Sequence, residues 1–177
     1  DAASGKLLAS LEGHRDKVVS AAFSPDEARI VTASSDKTAK LWDASTGDLT
    51  GTLAGHGATV DAVAFSPDGN LLATGSRDFT IKLWNVQQRA QIATLAGHTD
   101  AVRTVAFSPD GQFLVSAGED KTIRWWSLTT TQEIATLQTG FTVERLVFSP
   151  EGQTFAACGA DNKLHLWNVA TRQKEGE

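Results

Sequence analysis

Four tryptophans close four similar segments of this chain, Trp42, Trp84, Trp126 and Trp167, at spacings of 42, 42 and 41 residues. A period of that length describes one supersecondary unit copied in series, each copy leaving an apolar face that only its neighbour can cover. The units run 1–42, 43–84, 85–126 and 127–168, with a tail at 169–177, in one repeat region spanning 1–177. Such a chain is built to present a surface.

Within each unit, three short apolar stretches alternate with turn signals, which reads as strands and not as helices. In the second unit these are residues 60–65, 71–74 and 80–84, and a weaker fourth stretch, 92–95, precedes the next Gly-His pair. Four antiparallel strands per repeat make the blade of a β-propeller. The expected fold is therefore all-β, a propeller of four-stranded antiparallel blades with four blades per chain. In the turn FSPDG, Pro67 presets the first dihedral, Asp68 bonds back to the backbone and Gly69 supplies a positive φ. The first unit has Glu27 where Gly69 and Gly111 stand. A left-handed glutamate costs on the order of 1 kcal/mol, so that hairpin is expected to be the least ideal of the four.

Gly-His near the start of the unit, an Asp in the second hairpin turn and Trp-Asp or Trp-Asn at its end resemble the signature of the WD-repeat β-propeller family, and the resemblance runs from Gly5 to Asn168. It implies a hydrogen-bonded tetrad inside each blade: His14, Thr32, Asp36 and Trp42; His56, Thr74, Asp78 and Trp84; His98, Ser116, Asp120 and Trp126. The fourth unit departs from the pattern. Asp161 and Trp167 remain, but Ala157 stands at the hydroxyl position, one residue is missing around Gly140 and no His occupies the loop. Three tied blades and one looser blade are expected. A His, a hydroxyl and an Asp at fixed spacing also describe a hydrolase triad. Recurrence argues against that, since an active site needs one nucleophile in one cleft, whereas an indole N–H suits a satisfied buried network.

Composition narrows the function classes. The 177 residues are 41% apolar without a run long enough for a membrane-spanning helix. The single cysteine, Cys158, rules out an intrachain disulfide and is expected to be a small buried hydrophobe, compatible with a cytoplasmic location. A net charge of −5 argues against a sequence-independent grip on nucleic acid or anionic membrane. Three of the four histidines belong to the tetrads; His165 stands where the sister units carry Lys40, Lys82 and Arg124, and is expected at the surface. No metal, phosphate loop or cofactor is expected.

Propellers close with roughly four to eight blades, and WD-repeat domains resemble the larger members. Four such blades leave an open arc with two apolar ends. In the family the N-terminal outer strand usually completes the last blade, which places Gly5–Leu11 beside the strand ending at Trp167. Two chains that complete each other's last blade would close an eight-bladed ring with two-fold symmetry. Two alternatives stay open: a piece of a larger multidomain signalling protein, since the sequence holds no methionine, and a four-bladed monomeric ring.

The resemblance implies a non-catalytic scaffold that binds a protein or peptide on the loop face around the channel. The positions that reach that face are Arg15, Lys17 and Val19; Thr59 and Asp61; Thr99 and Arg103; and Glu144, with Arg77 and Phe79 in a nearby turn. Phe79 replaces the lysine of the equivalent turns, Lys37 and Lys121, and an exposed aromatic is a natural anchor for a partner. The alternative, an enzyme framed by a propeller, has Asp61 and Glu144 as its nominated carboxylate pair, from separate units with an arginine between them.

Overall fold

A computed structural model describes residues 3–176; Asp1, which aligns with Asp43, and Glu177 lie outside the described residues. Sixteen strands form four four-stranded antiparallel sheets, with no helix among the described residues. The first blade holds β1 (Val18–Phe23), β2 (Arg29–Ser34), β3 (Thr38–Asp43) and β4 (Leu49–Ala54). The second holds β5 (Val60–Phe65), β6 (Leu71–Ser76), β7 (Thr80–Asn85) and β8 (Ala90–Ala96). β9 (Val102–Phe107), β10 (Phe113–Gly118), β11 (Thr122–Ser127) and β12 (Glu133–Gln138) make the third. β13 (Val143–Phe148), β14 (Thr154–Gly159), β15 (Leu164–Asn168) and β16 (Lys174–Gly176) make the fourth. Each blade runs from inner to outer strand in chain order.

Strand alternation sends one set of side chains to each flat face of a blade, and the two faces of successive blades interlock. Val31, Ala33, Ala39 and Leu41 of the first blade pack on Val60, Val63, Leu72 and Trp84 of the second. Ala73, Ile81 and Leu83 meet Val102, Val105, Leu114 and Trp126 in the same way. Val115, Ala117, Ile123 and Trp125 then meet Val143, Leu146, Phe155 and Trp167. Each inner strand carries a register shift near its start, between Val18 and Ser20, Val60 and Ala62, and Val143 and Arg145, with a matching shift opposite Ala117 and Gly118. These bulges bend the inner strand at the same height in every blade.

The inner strands β1, β5, β9 and β13 pack on one another in series, and no such packing joins β13 back to β1 among the described residues. The arrangement is an open arc, not a four-bladed monomeric ring. Its two ends expose apolar surface. Val18 and Phe23 are 52% and 64% exposed on the first blade, and Val147, Leu164 and Leu166 are 64%, 54% and 42% exposed on the fourth.

One expectation about the chain ends is corrected. The segment 169–177 is not a simple tail, because Lys174–Gly176 forms β16 and pairs with β15, while Gly5–Leu11 forms no strand within the one chain. The reason is local turn chemistry. Arg172 adopts φ 57° and its N–H donates to Asn168 O at 2.9 Å, the same turn that Gly47 (φ 77°) makes onto Asp43 O at 2.9 Å and Thr131 (φ 56°) onto Ser127 O at 2.8 Å. That turn returns the chain onto the edge of β15.

Glu27 has φ 59°, against 71° for Gly69, 69° for Gly111 and 71° for Gly152. A glutamate there carries the steric penalty that glycine avoids. Glu27→Gly is therefore expected to stabilise the chain by about 0.5–1 kcal/mol, read as an increased urea midpoint at constant m-value; an unchanged or lower midpoint would contradict the strain.

Candidate functional site

Each of the first three blades contains one hydrogen-bonded chain that runs from its core to a surface loop. In the second blade the Trp84 indole N–H donates to Thr74 Oγ1 at 2.9 Å, Thr74 Oγ1 and His56 Nε2 lie 2.7 Å apart, and His56 Nδ1 and Asp78 Oδ2 lie 2.8 Å apart. The first blade repeats these links through Trp42, Thr32, His14 and Asp36 at 2.9, 2.7 and 2.8 Å. The third does so through Trp126, Ser116, His98 and Asp120 at 2.8, 2.7 and 2.7 Å. One tautomer satisfies every link: indole to hydroxyl, hydroxyl to Nε2, and Nδ1–H to carboxylate, with the imidazole neutral. The same carboxylate oxygen also accepts a loop N–H, from Arg15 at 3.0 Å, Gly57 at 2.8 Å and Thr99 at 3.2 Å. The tetrad therefore fixes the loop that enters each inner strand.

Electrostatics agree with this assignment. Burial pushes the Asp78 carboxyl up, but the Thr80 hydroxyl, the Gly57 N–H and His56 outweigh it and hold the group down at about 2. Asp36 and Asp120 are held below their ordinary value by the same balance, burial opposing and Thr38 or His98 with neighbouring donors prevailing. Burial lowers the His56 imidazole, partly offset by Asp78. The Thr38, Thr80 and Thr122 hydroxyls donate to the second carboxylate oxygen at 2.6, 2.6 and 2.8 Å; sequence reasoning missed them, although a threonine two residues after each Asp was a visible signal.

The fourth blade solves the problem differently. His165 is not at the surface but 3% exposed. Its Nε2 lies 2.6 Å from Asp161 Oδ2, and its ring stacks on Phe141 with centroids 4.5 Å apart. The imidazole reaches the aspartate from strand β15, not from the loop, because the shortened loop places Phe141 against it. With Ala157 in place of the hydroxyl, Trp167 Nε1 and His165 Nδ1 are buried without a hydrogen-bond partner.

On the inner strands, charges form a ladder across blades. Asp61 is 7% exposed and accepts from Arg77 Nε at 2.9 Å and from Arg103 Nη1 at 3.0 Å; Arg103 Nη2 pairs in turn with Glu119. Arg103 thus links the second blade to the third, and Arg145 Nη1 donates to Arg103 O at 3.4 Å from the fourth. Sequence reasoning missed Glu119, which stands at the repeat position of Arg77 with opposite sign. The nominated carboxylate pair does not form a site: Asp61 oxygens are taken up by two guanidinium groups, and β9 lies between β5 and β13.

The remaining candidate positions are more open. Arg15, Lys17, Thr99 and Glu144 are exposed, while Val19 and Thr59 are half-buried, Val19 against the first inter-blade core. Arg77 and Phe79 project from the β6–β7 turn, and Phe79 is 44% exposed at φ 71°. Among the described residues no group of three or more His, Cys, Asp or Glu side chains could hold a metal ion.

A family model described as "WD domain, G-beta repeat" matches residues 5–43, 47–85, 89–127 and 131–168. The chain belongs to the WD-repeat family. Over 42 residues this WD-repeat chain is 45% identical to Pre-mRNA-processing factor 19 homolog 2 of Arabidopsis thaliana. It matches Pre-mRNA-processing factor 19 of Oryza sativa subsp. japonica equally. Each match covers 24% of this chain and 8% of the relative. Among solved structures, U3-55K superposes with a TM-score of 0.86 at 25% identity, over 93% of this chain and 53% of that one. Four blades thus match little more than half of a longer chain.

Ala157→Ser restores an acceptor ten residues before Trp167, the spacing at which Ser116 receives Trp126. It is expected to stabilise the fourth blade by about 1 kcal/mol, whereas Thr74→Ala orphans Trp84 and His56 and costs roughly 1–3 kcal/mol; thermal unfolding of the two variants against the parent checks both signs. In acid, Asp78, held at about 2 in the fold, contributes stability that is present above its unfolded value near 4 and lost as pH falls through 2. His56, lowered in the fold, adds a loss that begins as pH falls below about 6.5. Urea midpoints should therefore decline in two stages below neutrality, and His56→Gln should remove much of the upper stage.

Proposed function

We propose that this chain is a non-catalytic protein-interaction scaffold of the cytoplasm that completes its ring with a second copy of itself and presents the loop face to a protein or peptide partner. The observation that carries the ring is the pair of unpartnered end faces. On the fourth blade Val147 pairs with Ala156 and Ala156 with Leu166, while Cys158 pairs with Leu164. By repeat position this is the face that Ala106, Val115, Ala117, Ile123 and Trp125 use to cover the blade that follows them. Cys158 is half-buried there and does not lie in a core. The free face of the first blade, with Val18, Phe23 and half-buried Ile30, corresponds to Val60, Phe65 and Leu72, the surface that receives such a face. Each copy thus offers both halves of the contact that already joins its own blades, and a head-to-tail contact of two four-blade arcs closes after two copies.

The loop face supports the partner side of the reading. Phe79 takes the left-handed turn conformation that Lys37 (φ 70°), Lys121 (φ 61°) and Asn162 (φ 61°) share at the same repeat position, so what sets it apart is an exposed aromatic side chain where the first and third blades carry lysine. An exposed aromatic beside Arg77 suits a peptide anchor.

Native mass spectrometry of the chain is expected to give twice 18.8 kDa, and Leu166→Asp to give the monomer; a monomeric parent would show that further blades of another origin cover these ends. Peptides selected from a display library on the intact assembly should lose at least roughly tenfold in affinity on Phe79→Lys, with thermal stability unchanged. Retained affinity would move the partner site away from this turn.

A further inference from the structure

The repeat pattern breaks at several positions at once in the cleft between the first and second blades. Arg29 and Asp43 stand opposite each other across β2 and β3 there, at the end of the strands away from the Lys37 turn and the loop face. Leu71 and Phe113 hold the repeat position of Arg29, Ile92 and Ile134 that of Thr50, Ala93 and Ala135 that of Gly51, and Thr131 that of Arg89. The later clefts carry apolar side chains at the first three of these positions. This one carries an arginine, a threonine and a bare glycine, with a second arginine facing them from the next blade.

The cleft has a volume of about 270 Å³, bordered by Arg29, Asp43 and Thr50 of the first blade and by Val86, Gln87 and Arg89 of the β7–β8 turn. The Arg89 side chain lies across β4. A Cβ at Gly51 would meet its Cδ at 2.8 Å and its Nε at 3.3 Å, so the missing side chain at Gly51 is what lets the arginine stem rest on the strand and reach the cleft. Thr50 opens room beside it, being shorter than the isoleucines of the sister strands, and its hydroxyl donates to Leu41 O at 3.0 Å.

The positive charge is not neutralised from within. Arg89 is exposed and has no hydrogen-bond or ion-pair partner among the described residues. Arg29 reaches Asp26 alone, with Nη1 3.7 Å from Oδ2 of a largely exposed carboxylate. Asp43 is engaged by its own turn, its Oδ1 accepting the Ser45 N–H, the Ser45 hydroxyl and the Thr46 N–H at 2.9, 2.6 and 2.9 Å. The cleft between the third and fourth blades shows the contrast: Gln112, Phe113, Ser127, Leu128 and Ile134 border it, with no charged side chain among the described residues. Arg172, the counterpart of Arg89 there, lies over the Trp125 ring at 5.7 Å instead.

We infer that this cleft binds a phosphate group, clamped between the guanidinium groups of Arg29 and Arg89 with the Gln87 amide beside them. Two guanidinium groups match a dianion in charge, and the planar fork of each donates paired hydrogen bonds to phosphate oxygens. Leu41 and Val86, both buried, give the cleft an apolar side on which the stem of a phosphorylated side chain rests. The phosphate is either free or carried by such a side chain of a protein partner. The site lies at the opposite end of the strands from Phe79, within two blades of one chain, and is independent of how the ring closes.

Titration of inorganic phosphate into the isotope-labelled chain, followed by NMR at constant ionic strength and at a pH above about 6, tests this with the residue 51 and Val86 backbone amides as reporters. Saturable shifts of both signals are expected, with an affinity weakened about tenfold or more by Arg29→Gln and by Arg89→Gln. Gly51→Ala keeps both arginines but presses on the Arg89 stem, and is expected to weaken binding as well. N-acetyl phosphoserine amide serves as the second probe. Tighter binding than inorganic phosphate assigns the site to a partner's side chain, and equal binding assigns it to free phosphate. No saturable shift with either probe, or an affinity that Arg89→Gln leaves unchanged, would overturn the site.

Discussion

Everything in this fold depends on the fact that a four-stranded blade has two apolar faces and can bury neither alone. Each inter-blade core takes one set of residues from the β2- and β3-type strands of one blade and a second set, capped by the repeat tryptophan, from the next. At about 25 cal/mol per Å² of apolar area removed from water, this stacking is the main favourable contribution, and it is additive along the chain because each blade touches only its neighbours. The same rule leaves a residual face at either end of any arc that does not close.

The tetrads have a different task. Their links satisfy donors and acceptors that the stacking has already buried, and a satisfied network contributes modestly while a broken one is costly. The fourth blade shows the distinction. It keeps its place in the stack through Val143, Leu146, Phe155 and Trp167 although its indole N–H has no acceptor. Stacking fixes where the blade sits; the tetrad fixes the loop above it. The ladder from Arg77 through Asp61 and Arg103 to Glu119 does similar work at the inner strands, tying neighbouring blades through charges.

Much of this was legible from residues alone. Alternation and turn chemistry placed the strands, since FSPDG and the Gly-His and Trp-Asp positions each require a particular backbone, and Glu27 stood out against the glycines of its sister turns. His165 was misplaced at the surface because its repeat counterparts are Lys and Arg; nothing in sequence shows that a loop shortened at Gly140 brings Phe141 onto its ring. The pairing of Asp61 with Arg103 was not legible in sequence because it spans 42 positions and two blades.

By itself the sequence determined the repeat, the class of blade, the turns and the membership of three tetrads, because these depend on residue types at fixed short separations. Only the tertiary structure decided that the four blades form an open arc, that β16 pairs with β15, and that Cys158, Leu164 and Leu166 lie on an uncovered face. Those outcomes depend on which blade has a neighbour. Every unit carries nearly the same apolar positions, so the pattern that buries Leu41 or Trp125 in mid-stack is the one that exposes Leu166 at its end.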